Sequence, residues 1–227
     1  MKLIMVRHGD PDYEKDCLTE LGHEQAKIAA RRLLEEGIEE VYTSPLGRAR
    51  QTAQAFTELS GIGPAHVLDF MKEIRFGTEE TLYKSGNPWL SAWKLIGEGH
   101  DLQSANWREY PEFADNLATV DVDRIMTEAD SWLASLGYER EGLYYRCTNE
   151  EEKERTIALF SHGGSSTAFL SRVFNIPFPY MCAILGHMAH TSITVLQFDP
   201  KPGLLSMPVA EVMVDARHLR DVKKRGD

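Results

Sequence analysis

Cysteine is scarce in this 227-residue chain: Cys17, Cys147 and Cys182 lie far apart and are odd in number. With no CxxC pair, neither a disulfide framework nor a thiolate metal site has a basis in the sequence, and a reducing compartment is expected. Long apolar runs are missing as well. No segment approaches the roughly 18 apolar residues of a membrane span, and an apolar strand begins almost at Met1, leaving no room for the regions of a signal peptide. The expectation is a cytoplasmic protein that does not bind membranes. Positive charge is outnumbered, 25 Lys and Arg against 35 Asp and Glu, for a net charge of -10. That balance excludes a general nucleic-acid or anionic-membrane binder. An anionic ligand must then meet a local basic cluster, which can prevail because charges beyond about 8 Å are largely screened. Tandem repeats and low-complexity linkers are absent, and a hydrophobic content of 42% is enough for one sizeable core, with or without an inserted subdomain.

What is present begins with KLIMVRHGDPDY. Lys2 to Val6 reads as a strand buried on both faces, the kind found in parallel sheets. LTELGHEQAKIAARRLLEEG follows with apolar residues at helical spacing, Thr19 to cap it and Gly37 to end it. IEEVYTS reads as a second strand, PLGRARQTAQAFTELSG as a helix with Pro45 in its first turn, and AHVLDF as a third strand. This alternation predicts a parallel α/β sheet with right-handed crossovers. From about Gly77 to Glu154 the pattern changes to helical pieces with polar loops, and all four tryptophans, Trp89, Trp93, Trp107 and Trp132, fall there. EFADNLATVDVDRIMTEADSWLASLGY reads as one long helix, and TNEEEKER as a solvated hairpin or loop. TIALFSHGGSS then repeats the opening pattern, and ITVLQFDP and MPVAEVMV read as late strands.

Basic residues fall where strands leave the sheet: Arg7 and His8, then Arg48 and Arg50, then His162. In open α/β sheets the crevice beyond the carboxyl ends of the strands is where ligands bind, so these groups can meet although far apart in sequence. Two histidines could hold a metal, but arginine is not a ligand and matching carboxylates are sparse. A phosphate fits better. Guanidinium groups make bidentate contacts to its oxygens, and the helices that start after Arg48 and His162 aim N–H groups at the same place. A neutral imidazole can attack phosphorus, provided that another group protonates the leaving oxygen.

Taken together, VRHG, LTELGHEQA, SPLGRARQTA, the Glu of MKEIRFG and SHGG resemble the histidine phosphatase superfamily, which includes cofactor-dependent phosphoglycerate mutases. The resemblance spans about Leu3 to Gly164 and is thin from Gly77 to Glu154. It implies a three-layer α/β/α sandwich with a mostly parallel sheet. It also implies one domain over residues 1–227, in which a helical insertion or lid at about 77–154 covers the active-site end. The implied activity is metal-independent hydrolysis of a phosphomonoester, without a cofactor, through phosphohistidine. His8 would be the nucleophile; Arg7, Arg48 and His162 would hold the phosphoryl oxygens; Glu73 would be the acid, with Asp10 and Glu79 as alternatives. Substrate contacts are expected from Thr19, Gly163 and His190. A small phosphorylated metabolite or a phosphoprotein is the implied partner. The alternatives are a mutase-type phosphotransferase or a non-catalytic phosphate-binding relative.

The departures from the family's pattern are local. Many members follow RHG with a glutamate, a small hydroxyl residue and then an asparagine that helps hold phosphate; here the residues are Asp10, Pro11, Asp12, Tyr13 and Glu14. The FTGW-type stretch of the mutases is missing too, which favours hydrolysis over mutase activity. Trp89 and Trp93, at helical spacing, are read as core or lid packing.

Overall fold

A computed structural model describes residues 1–103 and 106–220. In chain order the strands are β1 (Lys2–Arg7), β2 (Pro11–Asp12), β3 (Cys17–Leu18), β4 (Glu40–Thr43), β5 (His66–Val67), β6 (Tyr138–Glu141), β7 (Tyr144–Cys147), β8 (Thr156–Ser161), β9 (Ile193–Gln197), β10 (Leu205–Ser206) and β11 (Val209–Asp215). The helices are α1 (Glu20–Leu33), α2 (Gly47–Ser60), α3 (Pro88–Gly97), α4 (Pro111–Ala114), α5 (Leu117–Ser135), α6 (Gly163–Phe174) and α7 (Phe178–Leu185). Among the described residues no single helix is long and apolar enough to cross a membrane.

Six strands form the central sheet in the order β11-β9-β1-β8-β4-β5. β1, β8, β4 and β5 run parallel, and β9 is the reversed strand between β1 and β11. The apolar opening of the chain follows from this placement, because alternate side chains of β1 enter different cores. Leu3 and Met5 pack with Ile157, Leu159, Phe169 and Leu170, while Ile4 and Val6 pack with Leu33, Phe56, Ala158 and Phe160. Each such side chain contributes about 1.5–3 kcal/mol when fully buried. A solvated face on either side would have required an alternating strand. The result is the mostly parallel α/β/α arrangement expected from the sequence.

Three expectations about elements are corrected. Thr19 caps α1 as read, accepting the Gly22 N–H. Pro45, however, lies outside α2, which begins at Gly47 behind Leu46. The third strand is two residues long before the chain turns into a 3-10 turn at Asp69–Met71. The region 77–154 is not wholly helical. The long helix is divided at Asn116, whose side-chain oxygen accepts the Ala118 N–H, and its periodic apolar residues continue as α5. After α5, β6 and β7 form a hairpin that β10 extends. Aromatic residues that bury one face, Tyr138 and Tyr145 against Phe198, favour strand there.

Candidate active site

Adjacent β1, β8 and β4 end at nearly the same level: Arg7 pairs with Ser161, and Thr43 with Phe160. The ends of these three strands and the chain that leaves them supply Arg7 and His8, His162, and Arg48, which is the second residue of α2 because that helix begins at Gly47 and not after Arg48 as read. His8 is 1% exposed, with its ring centroid 5.1 Å from that of His162 and 5.6 Å from that of His190. Nδ1 of His8 lies 2.7 Å from the Gly9 carbonyl oxygen. A carbonyl can only accept, so the ring proton is on Nδ1 and Nε2 keeps its lone pair. Burial, and then the nearby Arg7 and Arg48 charges, hold the His8 pKa well below its usual 6.5, so the ring is neutral near pH 7. Burial foremost, and then His8, Arg48 and Arg7, depress the His162 pKa as well. Burial and Arg7 bring His190 down to about 4 against the opposing pull of Asp10. His190 is therefore neutral too, and at 3.7 Å its Nδ1 is too far from Asp10 for a hydrogen bond.

Five buried side-chain nitrogens among the described residues have no hydrogen-bond partner. Two are the indoles of Trp89 and Trp132; the other three are Arg7 Nε, Arg48 Nε and His162 Nδ1, grouped around His8. Buried polar groups are nearly always paired, and each orphan costs about 1–3 kcal/mol. Each of these three is anchored elsewhere on its own side chain. Arg7 Nη1 donates to the Met188 carbonyl, Arg48 Nη1 lies 2.5 Å from Asp16 Oδ1, and His162 Nε2 lies 2.7 Å from Ser44 Oγ. The groups are therefore held in place with a free edge, an arrangement that suits a compact oxyanion.

Glu73 enters from the far side, just after the 3-10 turn, where buried Ile74 fixes the backbone. Its Oε1 accepts the N–H groups of Ile74 and Ser165, both at 3.0 Å, and so serves the N-terminus of α6, which His162 leaves without a side-chain cap. Gly164 makes this approach possible: a Cβ there would lie 2.6 Å from Oε1 and 2.4 Å from Ile74. Glu73 Oε2 and Arg7 Nε lie 4.0 and 3.8 Å from the point that a Cβ on Gly163 would occupy. The carboxylate thus stands beside the free edge of Arg7. On its outer side opens a cleft of about 670 Å³ lined by Leu46, Lys72, Arg75, Tyr83 and Arg124, among others.

The other sequence candidates are placed as follows. Asp10 lies beside His190 and accepts from the Thr19 hydroxyl at 2.6 Å. Thr19 itself is engaged by Asp10 and by the cap of α1, so its hydroxyl already has two partners. Glu79 is exposed and lies 3.9 Å from Arg75, away from the His8 group, which makes it a poor alternative to Glu73. Arg50 is exposed, because residues two apart on a helix do not share a face. Trp89 stacks on His187 with centroids 6.4 Å apart, and Trp93, which is exposed, meets that ring edge-on at 5.8 Å, so Trp93 is not a core residue. Residue-by-residue reading missed Ser44, Asp16 and the Met188 carbonyl. Ser44 stands inside the quoted SPLGRARQTA stretch, whereas the carbonyl leaves no trace in side-chain identity.

Comparison with known proteins bears on the family and the fold. The model of the histidine phosphatase superfamily (branch 1) matches residues 3–130 of the 227. A probable phosphoglycerate mutase, GpmB, of Serratia proteamaculans (strain 568) is 26% identical over 96% of this chain and 95% of its own. The crystal structure of Entamoeba histolytica phosphoserine phosphatase with 3-phosphoglyceric acid superposes with a TM-score of 0.65 at 21% identity, covering 96% of this chain and 98% of that one. A mycobacterial glucosyl-3-phosphoglycerate phosphatase complexed with VO3 gives a TM-score of 0.59 at 23% identity, over 91% of this chain and 97% of that one. The family match runs from the strand that delivers Arg7 and His8, through Arg48 and Glu73, and into α5, so the chain belongs to the histidine phosphatase superfamily.

Proposed function

We propose that the protein is a phosphomonoesterase that works through phosphohistidine on His8. The observation that carries this reading is the set of three unpaired buried groups, Arg7 Nε, Arg48 Nε and His162 Nδ1, around a neutral imidazole. With Ser44 donating to His162 Nε2, the His162 proton sits on Nδ1 and can bind a phosphoryl oxygen. His8 Nε2 attacks phosphorus, the ester P–O bond breaks, and the departing oxygen takes a proton from Glu73. In the second step Glu73 accepts a proton from water as the water oxygen attacks phosphohistidine, releasing inorganic phosphate and restoring both residues. The arginines carry the equatorial charge of each transition state. No metal or cofactor is required for these steps.

The substrate is a small phosphorylated metabolite whose alcohol portion extends past Glu73 into the 670 Å³ cleft. Phosphatases named among the structural neighbours support this size class. Hydrolysis of p-nitrophenyl phosphate in the presence of a chelator is expected for the wild type. His8→Ala should remove it and should retain no acid-labile phosphate after mixing with substrate; equal rates for the two proteins overturn the proposal. A mutase-type phosphotransfer is the second reading, favoured by the full-length similarity to a probable phosphoglycerate mutase. Rapid interconversion of 2- and 3-phosphoglycerate in the presence of bisphosphoglycerate would favour it over hydrolysis.

A further inference from the structure

The stretch in which this chain departs from the family's pattern, Asp10 to Glu14, continues through Lys15 and Asp16 and does not lie idle beside the pocket. It folds as a small hairpin through β2 and β3 and is drawn onto α2, where Gln51 Oε1 accepts the Leu18 N–H at 2.6 Å. Asp16 closes the turn at φ 49°, a left-handed conformation that aspartate tolerates better than most residues. Its two carboxylate oxygens have separate partners. Oδ2 accepts the Gly47 N–H at the head of α2 at 2.7 Å, and Oδ1 lies 2.5 Å from Arg48 Nη1. The contact is close enough that position 47 has no room for a side chain, since a Cβ there would lie 2.0 Å from the Asp16 carbonyl oxygen. The Tyr13 ring covers the same guanidinium at 5.3 Å.

We infer that Asp16 is a positioning residue of the phosphate pocket: bridging the first N–H of α2 and Arg48 Nη1, it fixes the guanidinium so that Nε faces the phosphoryl oxygens. The inference rests on the phosphate-pocket reading above. An acidic side chain next to an anion site ordinarily repels the ligand. Here both of its oxygens are engaged on the side away from Nε, and at 38% exposure its field is partly screened by solvent. The arrangement also repeats on a second arginine. Arg7 is held at Nη1 by the Met188 carbonyl and likewise keeps a buried Nε without a partner. An arginine held at one end loses less freedom when an anion binds the other, and misplacement by about 1 Å can cost about 100-fold in rate.

The test uses inorganic phosphate as a probe of the pocket, measured by calorimetry, and p-nitrophenyl phosphate for turnover. Asp16→Asn keeps the shape and the tolerance of positive φ but offers one acceptor oxygen in place of two. Asp16→Gly keeps the backbone freedom and offers none, which guards against misfolding of the first variant. Both are expected to weaken phosphate binding and to lower kcat/KM by about 10- to 100-fold. In an Arg48→Ala background, Asp16→Asn should have no further effect on phosphate affinity, because the residue acts through Arg48. Unchanged or tighter phosphate binding in Asp16→Asn overturns the inference. A loss of the same size in the Arg48→Ala background also overturns it, because Asp16 would then only tie the hairpin down. If the wild type binds phosphate without hydrolysing esters, the enzymatic reading fails while the affinities still decide the role of Asp16. A wild type that binds no phosphate overturns both.

Discussion

At the scale of single residues, the site contrasts groups that already have partners with groups that do not. His8 is fixed by Gly9, and Glu73 is fixed through one carboxylate oxygen, so each presents one atom to the pocket. A proton donor matters most when the leaving group is a poor one. Glu73→Gln should therefore lower kcat for an alkyl phosphate by about 100- to 10,000-fold and affect p-nitrophenyl phosphate far less. Comparing the two substrates checks this, and an equal loss on both would place Glu73 outside proton transfer. Gly164→Ala should reduce activity on the alkyl phosphate in the same direction, because the added methyl group meets Glu73 Oε1 and Ile74. The same comparison across both substrates reads it.

At the scale of elements, the heads of two helices shape the pocket with carboxylates that come from elsewhere in the chain. α6 receives Glu73 and α2 receives Asp16, and neither helix has a side-chain cap from its own N-cap residue. Each carboxylate gains from the N–H groups and dipole of the helix, and each is brought against an arginine, Glu73 beside Arg7 and Asp16 on Arg48. α5 is held differently. Asn116 accepts from Gly77 and Ala118 through Oδ1, and donates to the Gly86 and Glu112 carbonyls through Nδ2, at 2.7–3.2 Å. Asn116→Ala removes a helix cap and strands buried partners, so a loss of about 2 kcal/mol or more is expected in denaturant unfolding. Because α5 carries Asp121, which pairs with Arg75 at the cleft, KM should rise before kcat falls.

At the scale of the whole molecule, burial of histidine couples stability to pH. His8, His162, His190 and His218 all have pKa values lowered chiefly by burial. The unfolded chain takes up these protons near pH 6.5 and the folded protein resists them, so stability falls as pH drops below 6.5. For His190 the loss accumulates down to about pH 4. Thermal unfolding at pH 7, 6 and 5 should show a steady decline in Tm before most carboxylates titrate. A flat profile would mean that these rings are not held neutral. On the phosphate-pocket proposal, added phosphate should have the opposite effect, since a ligand at 100 times its Kd stabilises the folded state by about 2.7 kcal/mol.

Much of this was legible in the chain itself. The apolar run of β1 ends at Arg7 because the next side chains leave the sheet, and three such exits announced the pocket before any fold was known. The Thr19 cap of α1 and the alternation of strand and helix are local or periodic features, which sequence records directly. Tertiary structure alone decided which exits are neighbours: β8 enters the sheet between β1 and β4, more than 110 residues from either in sequence. It also decided the pairing of Arg7 with the Met188 carbonyl, the seat of Glu73 on α6, and the turn that brings Asp16 onto Arg48. Backbone acceptors have no residue identity, and long-range contacts have no period. What sequence determined was the set of candidate groups; which edge of each is left without a partner depended on the packing of the whole chain.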